Sequence, residues 1–202
     1  MSPILVVRWD HAIGMWRERV PAYFYRAEAD GPAPQAVAHC GGKAYWYGQL
    51  VFNSSVNGVS QETCRDFGHL SYGLASTFNV AETALIQGVD LYTANADRLR
   101  GALEFHTGLL NGGGYPPSGS PYKPGARNVT NPLVCNGTQL KLSYAPTYQV
   151  GLTGMARLYG STKSLPNTAR YVQQWVWNLS ASDACGHFMY CDEELTHATP
   201  AP

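Results

Sequence analysis

Apolar residues recur at intervals of three and four over five stretches of this 202-residue chain, and glycine and proline clusters separate them. That period turns one face of a helix toward a core, whereas a half-buried strand alternates with period two. The first stretch, residues 3–26, aligns Val6, Trp9, Ile13, Trp16 and Val20, and Pro21 should end or kink it. The second begins between Arg65 and Gly68 and runs to about Gln87, with Leu74, Phe78, Ala81 and Leu85 as its stripe and Gly88 as its stop. The third, Ala96 to Leu110, puts Leu99, Leu103, His106 and Leu110 on one face before Asn111-Gly-Gly-Gly ends it. The fourth, 147–160, aligns Tyr148, Leu152, Met155 and Tyr159. The fifth opens at Ser164-Leu-Pro-Asn and turns Tyr171, Trp175 and Leu179 inward. Residues 43–52 (KAYWYGQLVF) read as a short extended piece, with Tyr45 and Tyr47 exposed. The stretch 111–137, holding Pro116, Pro117, Pro121 and Pro124, reads as one long loop. The pattern predicts an all-α domain of antiparallel helical hairpins over residues 1–192, followed by a flexible polar tail, 193–202.

Charge narrows the partners. Fourteen basic and fourteen acidic residues cancel, which argues against a general nucleic-acid binder with its basic footprint. No stretch has the length of a membrane span. Only 14% of residues are charged, against about 25% in an average soluble domain, so Tyr, Asn, Ser, Thr and Gly supply the polar surface. Cysteines stand at 40, 64, 135, 185 and 191, an odd number that admits two disulfides with one free thiol, or a partner outside the chain. Cys185 and Cys191 enclose a loop short enough to be clipped locally. Glycosylation sequons begin at Asn53, Asn128, Asn136 and Asn178. Sequons and cysteines together predict an extracellular protein. The opening MSPILVVRWD has an apolar run too short for a signal-peptide core, so the chain is expected to be a fragment of a longer secreted one.

The densest polar cluster is 61–72, where Gln61, Glu62, Arg65, Asp66, His69 and Tyr72 precede or open the second helix. Arg65, His69 and Tyr72 stand at i, i+4 and i+7, the spacing of one helical face, where they would address one anionic group together. A structural reading stands beside it: Asp66 as helix cap, Arg65 paired with Glu62, and His69 and Tyr72 as half-buried packing residues. Elsewhere the chain has no HExxH, no CxxC, no GxSxG and no nucleotide-binding glycine pattern, so neither a metal nor a cofactor is expected.

The segment SQETCRDFGHLSYGLASTFNVAETALIQGVDLY, the following LRGALEFHTG and the later Leu165-Pro-Asn-Thr168 resemble the alginate-lyase-like polysaccharide lyase domain. Its members show QE-x-x-RD-x-GH, an A-E-I/T-A helix with G-x-D-L-Y, and (M/L)PNT. The resemblance covers roughly residues 10–178 and is specific over 60–110. It implies an incomplete α/α toroid of helical hairpins, cleavage of uronic-acid polymers of the alginate or glucuronan type by β-elimination, and an acidic polysaccharide as the partner of a monomer. Carried over by motif, His69 neutralises the sugar carboxylate or acts as base, Arg65 helps bind the carboxylate, and Gln61, Glu62 and Asp66 complete the substrate-binding set. Tyr72 joins the catalytic set from helix spacing, and Tyr148 joins the substrate-binding set as the aromatic residue nearest the family's Tyr-Asn-His segment.

Two departures open a second reading. The family's Asn-bearing segment before this region has no counterpart, which points to missing N-terminal hairpins, and Leu152-Thr153-Gly154 stands where Tyr-Asn-His is expected. A catalytically inactive or incomplete relative acting as a carbohydrate-binding domain is the alternative.

Overall fold

A computed structural model describes residues 3–32, 38–39, 43–44, 46–47, 49, 52–112, 128–142 and 148–178. Among them the chain is predominantly helical. The helices are α1 (Pro3–Tyr23), the single turn α2 (Ala27–Asp30), α3 (Phe67–Ile86), α4 (Ala96–Gly112), α5 (Gln149–Tyr159) and α6 (Pro166–Asn178). Strand is confined to two small hairpins, β1 (Ala38–His39) with β2 (Lys43–Ala44), and β3 (Asn128–Thr130) with β4 (Gln139–Lys141), both antiparallel. Trp175, Leu179, Tyr45, Cys40, Cys185, Cys191 and the tail carry expectations that fall outside the described side chains.

The helical stripes read from the sequence form the core. Ile13, Trp16 and Val20 of α1 lean on α3, where the Trp16 indole N–H donates to the carbonyl of Thr77 at 3.1 Å. Leu74, Phe78 and Ala81 are buried in α3, as are Leu99, Leu103, His106 and Leu110 in α4. Leu85 departs from its expected place and is exposed, because the inward face of α3 finishes on Ala84 instead. Gly88, at φ 84°, then closes the helix while the Val89 N–H donates back to the Ala84 carbonyl at 2.8 Å. Pro21 neither ends nor precedes the end of α1 by a full turn, since the helix continues to Tyr23.

The helices interlock rather than pairing only with their sequence neighbours. α3 packs most extensively on α5, and α4 on α6. Two glycines permit it. A Cβ on Gly151 would come within 2.9 Å of Leu103 and 3.1 Å of Phe78, so α5 lies close across both α3 and α4. A Cβ on Gly154 would meet the Tyr92 hydroxyl at 2.3 Å. That phenol donates to Glu82 at 3.2 Å, and Arg157 of α5 binds the same carboxylate. The space beside Gly154 is filled by the Tyr92 phenol.

Glu104 joins α4 to α6 across the sequence. Its carboxylate accepts from the N–H groups of Asn167 (3.0 Å) and Thr168 (2.9 Å) and from the Thr168 hydroxyl (2.7 Å). Those are first-turn donors that have no partner inside α6, and Pro166 at the first helical position lacks an N–H altogether. The Leu-Pro-Asn-Thr stretch is thus a helix start capped from another helix. Removing that cap in Glu104→Ala should lower stability by about 1–2 kcal/mol. The check is a lower urea midpoint with an unchanged slope.

Candidate functional site

The polar cluster at 61–72 is built on a turn that is fixed from several directions. Phe24 and Ser60 form an isolated antiparallel bridge, the Gln61 N–H donates to the Tyr23 carbonyl at 3.1 Å, and the Tyr47 N–H donates to the Gln61 carbonyl at 3.0 Å. Below the turn, the Thr63 side-chain oxygen accepts from the Ser60 N–H at 2.8 Å and donates to Nε2 of His106 at 2.8 Å. His106 Nδ1 donates in turn to the Ala102 carbonyl at 2.7 Å. With one nitrogen donating and the other accepting, the ring is neutral, and complete burial pushes its pKa down to about 3. Cys64, next in the turn, is bridged to Cys135 beyond β3. The bond spans 71 positions and by chain entropy alone stabilises by about 4 kcal/mol. Cys135 and the exposed Asn136 both lie in the left-handed region, at φ 53° and 54°, so the chain turns sharply at the bridge itself.

Helix α3 starts at Phe67, two residues after Arg65. Asp66 is its cap: one carboxylate oxygen accepts the His69 N–H at 2.9 Å and the other contacts His69 Nδ1 at 2.7 Å. Partial burial of Asp66 opposes ionisation, but the bonds from His69, the His69 ring and the Arg65 charge outweigh it and hold the carboxyl below its usual range. An ionised carboxylate at Nδ1 favours the tautomer with its proton there, which leaves Nε2 with a lone pair. His69 and Tyr72 are both exposed. Arg65 takes a different course from the one its i, i+4 spacing suggests. It lies in the turn before the helix, 3.4 Å from the Glu62 carboxylate, with its guanidinium 5.2 Å from the Tyr47 ring centre. The cap and the Arg65–Glu62 pair match the structural reading of the cluster, while the exposure of His69 and Tyr72 departs from it.

The remaining predicted residues are dispersed. Gln61 is buried and its amide donates to the Ala22 carbonyl at 3.2 Å, so it braces α1. Tyr148 has no exposed surface and packs edge-on against Tyr171, inside the core. Tyr47, expected to be exposed, is half-buried beneath Arg65. Asn53 is half-buried at the start of a turn, where its side-chain oxygen accepts from the Ser55 hydroxyl at 2.6 Å. The side chains of Asn128 and Asn178 lie outside the described residues.

Two hollows flank the helices. A cavity of about 500 Å³ opens between α2, residues 55–57 and α4, lined by Arg26, Asn57, Asp97, Arg100 and Phe105, and it contains none of the predicted site residues. A smaller notch of about 210 Å³ lies between α1 and α3, lined by Arg19, Val20, Tyr23, Gly73 and Thr77. Tyr23, the last residue of α1, is not among the predicted site residues. Its half-buried phenol bonds to Ser60, and burial followed by the Glu62 carboxylate raises its pKa well above the ordinary phenol value. Among the described residues no three His, Cys, Asp or Glu side chains come together as a metal cluster.

Comparison with known proteins finds no match: no family model, no curated protein and no solved structure is similar to this chain.

The buried His106 sets an acid sensitivity. Its pKa is about 3 when folded and near 6.5 when exposed, so between those values the unfolded chain binds a proton that the folded chain does not. Stability from this group is full above 6.5 and falls by up to about 1.4 kcal/mol per pH unit on acidification. A His106→Asn variant should be less stable at neutral pH, with a flatter stability profile through the same window, as measured by urea unfolding in a pH series.

Proposed function

We propose that the chain is the His-bearing part of a secreted polysaccharide lyase that cleaves uronic-acid polymers by β-elimination. The observation that carries the reading is the Asp66–His69 couple at the exposed start of α3. A carboxylate fixes Nδ1, and the outward Nε2 has its lone pair available to a ring proton on a bound sugar. In the elimination Nε2 of His69 takes the C5 proton of the uronate. Charge builds on the sugar carboxylate as that proton leaves, and Arg65, held beside the helix start by Glu62 and Tyr47, is the nearby cation that opposes it. Tyr72, one turn beyond His69 on the exposed side of α3, borders the same surface. The helical architecture is compatible with part of an incomplete α/α toroid. Asn136 is the sequon position, among the described residues, whose exposure suits a glycan in an extracellular setting.

One observation favours a non-catalytic carbohydrate-binding relative instead. Tyr92 occupies the space beside Gly154 where the resemblance calls for a histidine. Product formation separates the two readings. Incubation with alginate or glucuronan should generate ultraviolet-absorbing unsaturated uronate ends. His69→Ala should lower that rate by about 100-fold or more, and Asp66→Asn, which weakens the hold on Nδ1, by about tenfold or more. Binding of a uronan by the folded chain without product would select the carbohydrate-binding reading, and neither binding nor product would refute both.

A further inference from the structure

We propose that the cavity between α2, residues 55–57 and α4 is a binding site for a neutral pyranose, an uncharged sugar ring, held by Asn57, Asp97 and Arg100 against the side chain of Phe105. The cavity holds none of the predicted site residues, and its occupation does not depend on the lyase reading.

The walls are fixed before any ligand arrives. At about 500 Å³ the cavity has the volume of a small-molecule site. A Cβ on Gly58, whose φ is 93°, would fall 2.1 Å from the carbonyl oxygen of Gly101, so this segment lies backbone to backbone on α4. The same segment is tied to the start of α2. The Gly58 N–H donates to the Tyr25 carbonyl at 2.8 Å, and the Asn57 side-chain oxygen accepts the Ala27 N–H at 2.7 Å, which leaves the Asn57 amide nitrogen as a donor. Ion pairs close the third side: Arg98 of α4 grips Asp30 with both terminal nitrogens, and Arg26 reaches Asp97 of α4 at 3.1 Å. The walls are thus locked to one another, and the hollow between them is a standing feature of the fold.

The charges decide what the hollow accepts. Asp97 has Arg26 at one carboxylate oxygen, and at the other the Tyr159 hydroxyl at 3.5 Å and Arg100 at 4.0 Å. Glu28 bonds to Arg26 at 3.0 Å. Glu104 spends both its oxygens on the first turn of α6. The lining arginines therefore face Asp97 and Glu28 in equal number, and a charged ligand would enter without an unpaired countercharge to meet it. A sugar hydroxyl needs none. It donates and accepts at once, so neighbouring ring hydroxyls can answer an acceptor-only carboxylate and a donor-only guanidinium side by side. Arg100 is the guanidinium with donors to spare. It bonds to Tyr159, but at 4.0 Å from Asp97 it is beyond hydrogen-bond reach of that carboxylate. The half-buried ring of Phe105 supplies the apolar surface that the C–H face of a pyranose covers while its hydroxyl edge meets the polar groups.

The test is amide-resolved nuclear magnetic resonance on the full chain, titrated with the methyl glycosides of glucose, galactose, mannose and xylose. At least one should move the resonances of Asn57, Arg100, Gly101 and Phe105 saturably, with a millimolar Kd. Glucuronate and glucosamine, which add a charge of either sign to the same ring, should bind there about tenfold or more weakly. Arg100→Ala should weaken the neutral glycoside by about tenfold or more while the urea midpoint stays near the wild-type value. No saturable shift with any of the glycosides overturns the assignment, and so do shifts confined to other parts of the chain. Glucuronate or glucosamine binding as tightly as the neutral rings overturns it too, as does unchanged affinity in Arg100→Ala. Elimination product is measured separately: a chain that binds the glycoside but cleaves no uronan refutes the lyase reading alone, and one that cleaves but does not bind refutes the cavity site alone.

Discussion

The contact between Thr63 and His106 organises everything described around α3. It is a buried hydrogen bond between two neutral side chains, and each member has its remaining capacity used: the ring by the Ala102 carbonyl, the hydroxyl by the Ser60 N–H. In a low-dielectric interior such a chain is stable only when complete, because a lone buried donor or acceptor costs about 1–3 kcal/mol. It fixes the turn 60–65 to α4 at one point, and the disulfide at Cys64 ties the next residue to the β3–β4 region. Arg65 and Asp66 follow at once. Their placement is inherited from bonds they do not make.

The site then owes its stiffness to the far side of the helix. α3 is held behind by α5, which comes close because residues 151 and 154 have no side chains. The Tyr92 phenol and the Glu82–Arg157 pair close that interface, with Tyr92 and Glu82 buried and Arg157 at its exposed edge. The exposed face of α3 at His69 and Tyr72 thus rests on an inner face fully engaged with neighbours. Such support keeps exposed side chains on a helix in a fixed place without contacts of their own on the solvent side.

Much of the fold was legible because helical period survives in a single sequence. The stripes of α3 and α4 follow from spacing alone, and so does the Gly88 stop. Leu85 shows the limit: at the end of a helix the stripe drifts, and whether its last member is covered depends on which neighbour is there. The strands β3 and β4 were hidden, because three residues in a proline-bordered loop carry no period. At the site, the cap at Asp66 was legible from local rules, whereas the turn of Arg65 toward Tyr47 depends on a partner eighteen residues earlier in the chain. Glu104 and Tyr23 were invisible for the same reason. Each acts on a segment about fifty or more residues away, and nothing near either one in sequence announces its partner.

The pairing of Gly154 with Tyr92 has a bearing on how this chain is able to change. Two positions sixty-two residues apart share one volume, so their side chains are constrained jointly. A histidine cannot enter at 154 while the phenol stands there, and trimming Tyr92 first would strip Glu82 of a donor and leave Arg157 as its partner in a looser interface. The order of substitutions matters, and their effects will not add. A sequence with a large residue at 154 should therefore carry a small one at 92.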